Sequence, residues 1–341
     1  MKSTTTSPAP EIARPQALAE RFAVIFFRIG VLPILMIAAL AVFTGLSDQF
    51  LTLQNLTNLL RQSVYLILVA LGQMLALVTG GFDLSVGTII ALTSVVAAMA
   101  MTAIGADLPD AAWIAILGGC AAGLLAAAGV GLVNGVGIAY FGVSPFIMTL
   151  GVQSVGFGLA LYLTGGVPVS GLPPEFSDVL GFGTVLGIPT PVVICLIAIL
   201  AALLLLERTA LGRYFYAVGG NAKAAALSGI ETRRVLLAAY IICALLAAVS
   251  GLLLTARTES GEANLGGTVA LESIAACVIA GVSLRGGMGR VGSVVLGAIF
   301  IGLVQNGMNL ASIGSYLQMV VLGTLLVCAV IADQLRHRFQ R

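Results

Sequence analysis

Long uncharged, apolar runs separated by single charged residues set the rhythm of this 341-residue chain. There are 19 uncharged residues between Arg28 and Asp48, 21 between Arg61 and Asp83, and 23 between Asp83 and Asp107. About 20 apolar residues cross a bilayer as a helix, so each run predicts one span. The 64 residues between Asp110 and Glu175 predict two, interrupted by the glycine-rich, proline-marked GVGIAYFGVSP. The 28 between Asp178 and Glu207 predict a sixth starting near Pro191, and the 22 between Arg234 and Arg257 a seventh. Only 12 separate Glu272 from Arg285. That is about 18 Å of helix, so a crossing there needs extension back to about Thr268. The 42 between Arg290 and Asp333 predict two more, with a turn near Ser312–Ser315. The pattern therefore predicts an all-α integral membrane protein of about ten transmembrane helices.

Charge placement decides the doubtful short span. With ten spans and both ends cytoplasmic, inner segments hold 14 of the 16 basic residues, and only Arg61 and Arg257 fall outside. The outer loops collect Asp48, Asp107, Asp110, Glu175, Asp178, Glu259 and Glu262. Basic residues concentrate on the cytoplasmic side of membrane proteins, so the crossing alternative is preferred over a re-entrant one. The expected organisation is a cytoplasmic N-terminal tail over 1–29 and a single transmembrane domain over 30–332. A cytoplasmic C-terminal tail over 333–341 follows. The apolar run after the basic N-terminal tail is read as an anchor, not as a removed leader.

Composition agrees: 59% of residues are hydrophobic, mean hydropathy is +1.10, and there are 42 glycines. Glycine at that level suits helices whose backbones pack closely in lipid. Gly119/Gly123 and Gly131/Gly135 are each four apart and predict two close helix contacts. Gly292, Gly297, Gly302 and Gly307 recur every five residues, stepping about 140° each, and predict a helix surrounded by protein on several sides. The five cysteines lie singly in apolar runs and read as small core residues. His337 stands alone in a basic tail, so no metal site is expected. No GxxxxGK[ST] occurs, so a nucleotide site of that kind is not expected either.

One polar stretch stands out. Residues 207–234, ERTALGRYFYAVGGNAKAAALSGIETRR, carry seven charges in a chain where only 9% of residues are charged. Asn221 is placed to cap a helix start, AKAAAL is good helix former, and Gly229 is placed to end the helix in a left-handed cap. One short helix pinned at both ends, held between two spans, reads as a docking handle for a partner outside the membrane. A plain connecting loop would need less structure.

Inside the membrane, Asp83 in TGGFDLSVG is the main charged candidate. A carboxylate at membrane depth is costly and marks a function or a specific partner. The preceding Gly80 and Gly81 favour a structural role, with Asp83 capping the start of a helix over Val86–Ile104 and Ser85 close behind. Asn134, Thr149, Gln153, Glu272 and Asn306 are candidates for a polar translocation path, although such side chains more often bond across helices. No series of intramembrane acids, histidines or lysines is present to relay protons or hold sodium. Driving energy is therefore expected from outside the membrane.

The motifs TGGFDLSVGTIIAL, GLVNGVGIAYFGVSPFIMTLG, GRYFYAVGGNAKAAALSGI and LESIAACVIAGVSLRGGMGRVGSVVLGAIFIGLVQNGMNL resemble the permeases of bacterial carbohydrate ABC importers, ribose-type branch. The resemblance covers nearly all of residues 30–332. It implies a type II ABC importer-like permease in the bacterial inner membrane, paired with a second permease copy as homodimer or close heterodimer. It also implies two cytoplasmic ATP-hydrolysing subunits, which carry the ATP and magnesium, and a periplasmic sugar-binding protein. This chain is then no enzyme and holds no cofactor. The family's coupling segment falls on Gly212–Ile230. That makes Gly212, Arg213, Gly219, Gly220, Asn221, Ala224, Ala225, Leu227, Ser228 and Gly229 the expected docking residues. The implied mechanism is alternating access driven by closure of the ATPase pair. The cargo expected from the resemblance is a monosaccharide, pentose or hexose. Two other classes stay in view: an ion-coupled secondary transporter, against which the missing intramembrane carboxylates speak, and a membrane subunit without a transport role, against which the structured loop speaks.

Overall fold

A computed structural model describes residues 32–339. The expected N-terminal tail, with Lys2, Arg14, Arg21 and Arg28, and the terminal Arg341 lie outside the described residues. So do the side chains of Asp333, Arg336, His337 and Arg338. The chain runs through helices Leu32–Leu46 (α1), Leu53–Val78 (α2), Val86–Asp107 (α3), Ala112–Ala139 (α4) and Pro145–Thr164 (α5). A short helical turn at 174–181 leads to the two-residue strands Thr184–Val185 (β1) and Ile188–Pro189 (β2). Helices Thr190–Arg208 (α6), Ala210–Gly220 (α7), Ala222–Leu227 (α8), Thr232–Thr258 (α9), Val269–Ile279 (α10), Val291–Leu310 (α11) and Ser315–Phe339 (α12) complete it.

Among the described residues, seven helices are long and apolar enough to cross a membrane: α2 to α6, α9 and α11. α1, α10 and the apolar part of α12 are shorter. The 11-residue α10 starts at Val269 as expected but stops at Ile279, about 16 Å of helix, because the chain then turns left-handed at Gly281 (φ 86°).

α2 is the centre. Every residue from Ser63 to Val78 is buried, as expected of a helix that is apolar all round. It begins at Leu53, eight residues before the Arg61 boundary inferred from charge, because Thr52 caps it through a bond from the Asn55 N–H to its Oγ1 (3.3 Å). α9, α10 and α11 pack on it, and α4 lies between α3 and α9. The paired glycines make those contacts. A Cβ at Gly123 would sit 3.1 Å from the Thr93 carbonyl of α3, and one at Gly131 would sit 2.8 Å from the Tyr240 carbonyl of α9. On α11, Gly297 abuts Ala276 of α10, Gly302 abuts Ser63 of α2 and Gly307 abuts Phe43 of α1. These three meet neighbours on three sides, as the five-residue spacing predicts, whereas Gly292 has open space around it.

The stretch 207–234 differs from the single helix expected. It holds two, because Thr209 also caps a start: its Oγ1 accepts from the Gly212 N–H at 3.1 Å, and α7 runs to Gly220.

Candidate functional site

Two features carry the chemistry that the chain offers. The first is the docking helix. Asn221 Oδ1 accepts from the Ala224 N–H (3.0 Å) and starts α8. At its other end the Gly229 N–H reaches the Ala226 carbonyl (3.0 Å) and the Ile230 N–H the Ala225 carbonyl (3.1 Å), with Gly229 at φ 84°. This pair of bonds is the glycine stop in which two orphan carbonyls are satisfied at once. Arg213, Gly220, Asn221, Ala224, Ser228 and Gly229 face outward, and Leu227 is 91% exposed. Gly212 and Ala225 are buried, and Gly219 packs inward against the Val78 carbonyl. Beside the helix, burial and then the Glu207 carboxylate raise the Tyr216 phenol above its usual range against the opposing Arg290, so its O–H remains a donor.

The second is a buried polar clasp around residues 82–85. Asp83 Oδ1 accepts from the Ser85 N–H (2.8 Å) and from the Ser85 hydroxyl (2.5 Å). The helix itself starts at Val86 and runs three residues beyond Ile104, to Asp107; Ser85 occupies the cap position without capping through its side chain. The Asp83 carboxylate instead closes the turn just ahead of it. Asn134 of α4 donates from Nδ2 to Ser85 Oγ (2.8 Å). Thr149 of α5 accepts from the Leu84 N–H (3.1 Å) and donates to the Pro145 carbonyl (2.8 Å). Gln73 of α2, with its amide oriented to serve both bonds, donates to the Asp83 carbonyl (3.0 Å) and accepts from the Asp83 N–H (3.1 Å). Tyr240 of α9 donates to the Phe82 carbonyl at 3.4 Å. Asp83, Ser85, Asn134, Thr149 and Gln73 are fully buried. Two acceptors, Asp83 Oδ2 and Asn134 Oδ1, have no hydrogen-bond partner among the described residues.

Asn134 and Thr149 are thus brought together with Asp83 and Ser85, and both spend hydrogen bonds on the break between α2 and α3. Gln153 and Glu272 lie half-buried. Asn306 forms a reciprocal amide pair with Asn55, both bonds 2.9 Å, tying α11 to α2. Gln73 and Tyr240 were not among the sequence candidates. Their signal was available: a lone polar side chain inside an apolar span needs a partner from another helix.

Residues 55–330 match the family model described as the permease component of the branched-chain amino acid transport system. The chain is 39% identical over 303 residues to the ribose import permease protein RbsC of Escherichia coli K12, covering 88% of this chain and 92% of that one. To RbsC of Bacillus subtilis 168 it is 40% identical over 290 residues, covering 85% and 87%. To the D-allose transport system permease protein AlsC of Escherichia coli K12 it is 37% identical over 315 residues, covering 92% and 94%. No solved structure gives a significant match. The matched span includes the clasp, the capped helix, six of the seven long apolar helices and all but the first two residues of the seventh, and on that evidence the chain is a multi-pass membrane protein that belongs to the ABC-transporter permease family containing the ribose and D-allose import permeases.

Proposed function

We propose that this permease is the translocating subunit of an ATP-driven, binding-protein-dependent monosaccharide importer, and that it receives its ATPase on α8. The observation that carries the docking reading is α8 itself. A short helix capped on both sides, held between two spans within the most charged stretch of the chain and presenting Leu227 91% exposed, is more structure than a connecting loop needs. The covering surface includes Arg213, Asn221, Ala224, Ser228 and Gly229. The sugar reading is supported by the names of the relatives: ribose, D-allose and L-arabinose permeases. These match most of the chain individually, and they favour a pentose or hexose over the amino acids in the family model's description.

In this reading the protein has ten spans with both ends cytoplasmic, pairs with a second permease copy, and is fed by a sugar-loaded periplasmic protein. ATP and magnesium are held by the partner ATPase, so no hydrolysis occurs on this chain. Positive charge supports the orientation: 14 of 16 basic residues fall inside. Closure of the ATPase pair pulls α8, which hangs between α6 and α9, and rocks the halves between inward and outward access.

Two variants of the full complex test the docking. Ala225→Pro removes the Ala225 N–H bond to the Asn221 carbonyl and breaks α8, at a cost of about 3 kcal/mol or more. Leu227→Asp leaves the helix intact and charges its exposed apolar tip. Both are expected to insert normally, because the insertion signals lie in the flanking spans. Ala225→Pro should abolish uptake, and Leu227→Asp should lower ATPase co-purification by at least about tenfold. Full uptake in both variants, with an ATPase that still responds to loaded binding protein, shows that the segment is only a loop.

A further inference from the structure

Three chain segments meet without side chains between them just inside α8. Gly219 lies two residues before the cap Asn221. A Cβ there would collide with the Val78 carbonyl at the end of α2 and lie 2.8 Å from the Gly287 nitrogen. The Gly287 N–H in turn donates to that same Val78 carbonyl (2.8 Å). A Cβ at Gly286 would lie 2.8 Å from the Gly219 carbonyl and 3.0 Å from Gly80, and one at Gly287 would lie 2.9 Å from Gly220. The Tyr216 hydroxyl of α7 fastens the same turn from the side, donating to the Gly289 carbonyl (3.0 Å). The end of α7, the end of α2 and the turn before α11 therefore touch backbone to backbone.

We propose that this junction of Gly219, Val78 and Gly287 is the rigid link through which displacement of α8 is delivered to the break at 79–85, and that Gly219 and Tyr216 are positioning residues for coupling. This rests on the docking reading of α8. The physical ground is stiffness. Two helices that touch through long side chains can absorb a small shift by changing rotamers, whereas backbones in contact have no such give. The Asn221 N–H is bonded to the Ala217 carbonyl (3.1 Å), so α8 cannot shift without drawing the end of α7 with it. Past the junction the route continues at close quarters. Gly81 abuts the Tyr240 hydroxyl and Pro145, the first residue of α5, and the Leu84 N–H is held by Thr149 one turn further along α5. A push on α8 thus reaches the cytoplasmic end of the clasp and the start of α5.

The complete complex, reconstituted in vesicles with its ATPase subunits and binding protein, supplies three readouts. These are ATPase subunit retained per permease, basal ATP hydrolysis, and stimulation of hydrolysis by sugar-loaded binding protein. Gly219→Ala, whose methyl meets the Val78 carbonyl, should lower stimulation by about tenfold. Tyr216→Phe removes one hydroxyl and no packing, and should lower stimulation about threefold at unchanged ATPase retention. Wild-type stimulation in Gly219→Ala overturns the proposal. If Gly219→Ala does not reach the membrane, Tyr216→Phe decides alone, and unchanged stimulation in it overturns the proposal. Parallel loss of ATPase retention and stimulation in both variants also overturns it, because the junction would then shape the docking surface and transmit nothing. Failure of the docking reading looks different: Leu227→Asp then keeps its ATPase, whatever the junction variants do.

Discussion

The two glycine-rich breaks, TGGFDLSVG at 79–87 and SLRGGMGRVG at 283–292, begin alike and end differently. Each follows the end of a buried helix, each turns through a left-handed glycine (Gly80 φ 88°, Gly286 φ 89°), and each opens a new helix. The second is closed largely by its own backbone, with the Gly287 N–H reaching out to the Val78 carbonyl and Tyr216 bonding the Gly289 carbonyl from α7. The Ser283 N–H bonds to the Met288 carbonyl (3.1 Å), the Gly286 N–H to the Ser283 carbonyl (3.2 Å) and the Arg285 N–H to Ser283 Oγ (3.2 Å), with Met288 half exposed. The first is buried, and its carboxylate satisfies only its own Ser85 N–H and hydroxyl. Its polar groups are met by side chains from α2, α4, α5 and α9. A turn near a surface is met largely by its own backbone, whereas a buried one draws side chains from four other helices.

The sharpest way to break this contrast is to remove the buried acceptor. Asp83→Ala leaves the Ser85 N–H and hydroxyl without it, and should cost about 2–4 kcal/mol, seen as less folded permease in the membrane and a lower melting temperature in detergent. Asp83→Asn keeps the oxygen that accepts from Ser85 and is expected to retain most uptake. Loss of uptake in Asp83→Asn at normal membrane levels shows that the charge itself is needed and that a purely structural role is wrong.

A smaller effect should separate equivalent glycines. The methyl of Gly81→Ala meets the Tyr240 hydroxyl and lies 3.1 Å from the Pro145 ring, both fixed by the clasp. That is expected to cost about 1–3 kcal/mol through overpacking. The methyl of Gly289→Ala meets only the tips of Val78, Met74 and Val282, at 3.1–3.3 Å, and should cost less than about 1 kcal/mol. Thermal unfolding of the two variants side by side checks the order, and equal losses contradict the contrast.

The smallest effect belongs to the solvent side of the second break. Arg285 reaches Gln334 at 3.4 Å from an exposed position. Arg285→Ala should therefore change stability by no more than about 0.5 kcal/mol. A large loss of folded protein in this variant means that the exposed Arg285–Gln334 contact is structural and that the solvent side of the second break is not a neutral surface.

Local rules were enough wherever the partners lie close in sequence. Apolar run lengths separated α3 from α4 and α4 from α5, and Asn221 with Gly229 marked both ends of α8, because a cap and its helix are only a few residues apart. Run lengths did not foresee α7, since the hydroxyl cap at Thr209 sits among charges that read as loop, nor the early stop of α10 at Ile279. Glycine spacing predicted the packed faces of α4 and, at Gly297, Gly302 and Gly307 but not at Gly292, of α11, because a helix turns about 100° per residue whatever surrounds it. It could not name the neighbours.

Only the tertiary structure decided what meets the break around Asp83. Gln73 stands ten residues before it in the chain, but Asn134, Thr149 and Tyr240 come from three other helices. No local pattern encodes such meetings. The same holds for the Gly219–Val78–Gly287 junction: each glycine alone reads as a turn or a helix end, and their contact exists only once α2, α7 and the turn before α11 are packed. Sequence determines the conformations that a residue's own backbone and near neighbours allow, namely spans, caps and turns. Which of those turns touch is set by burial of α2 at the centre, a property of the whole chain and of no segment in it.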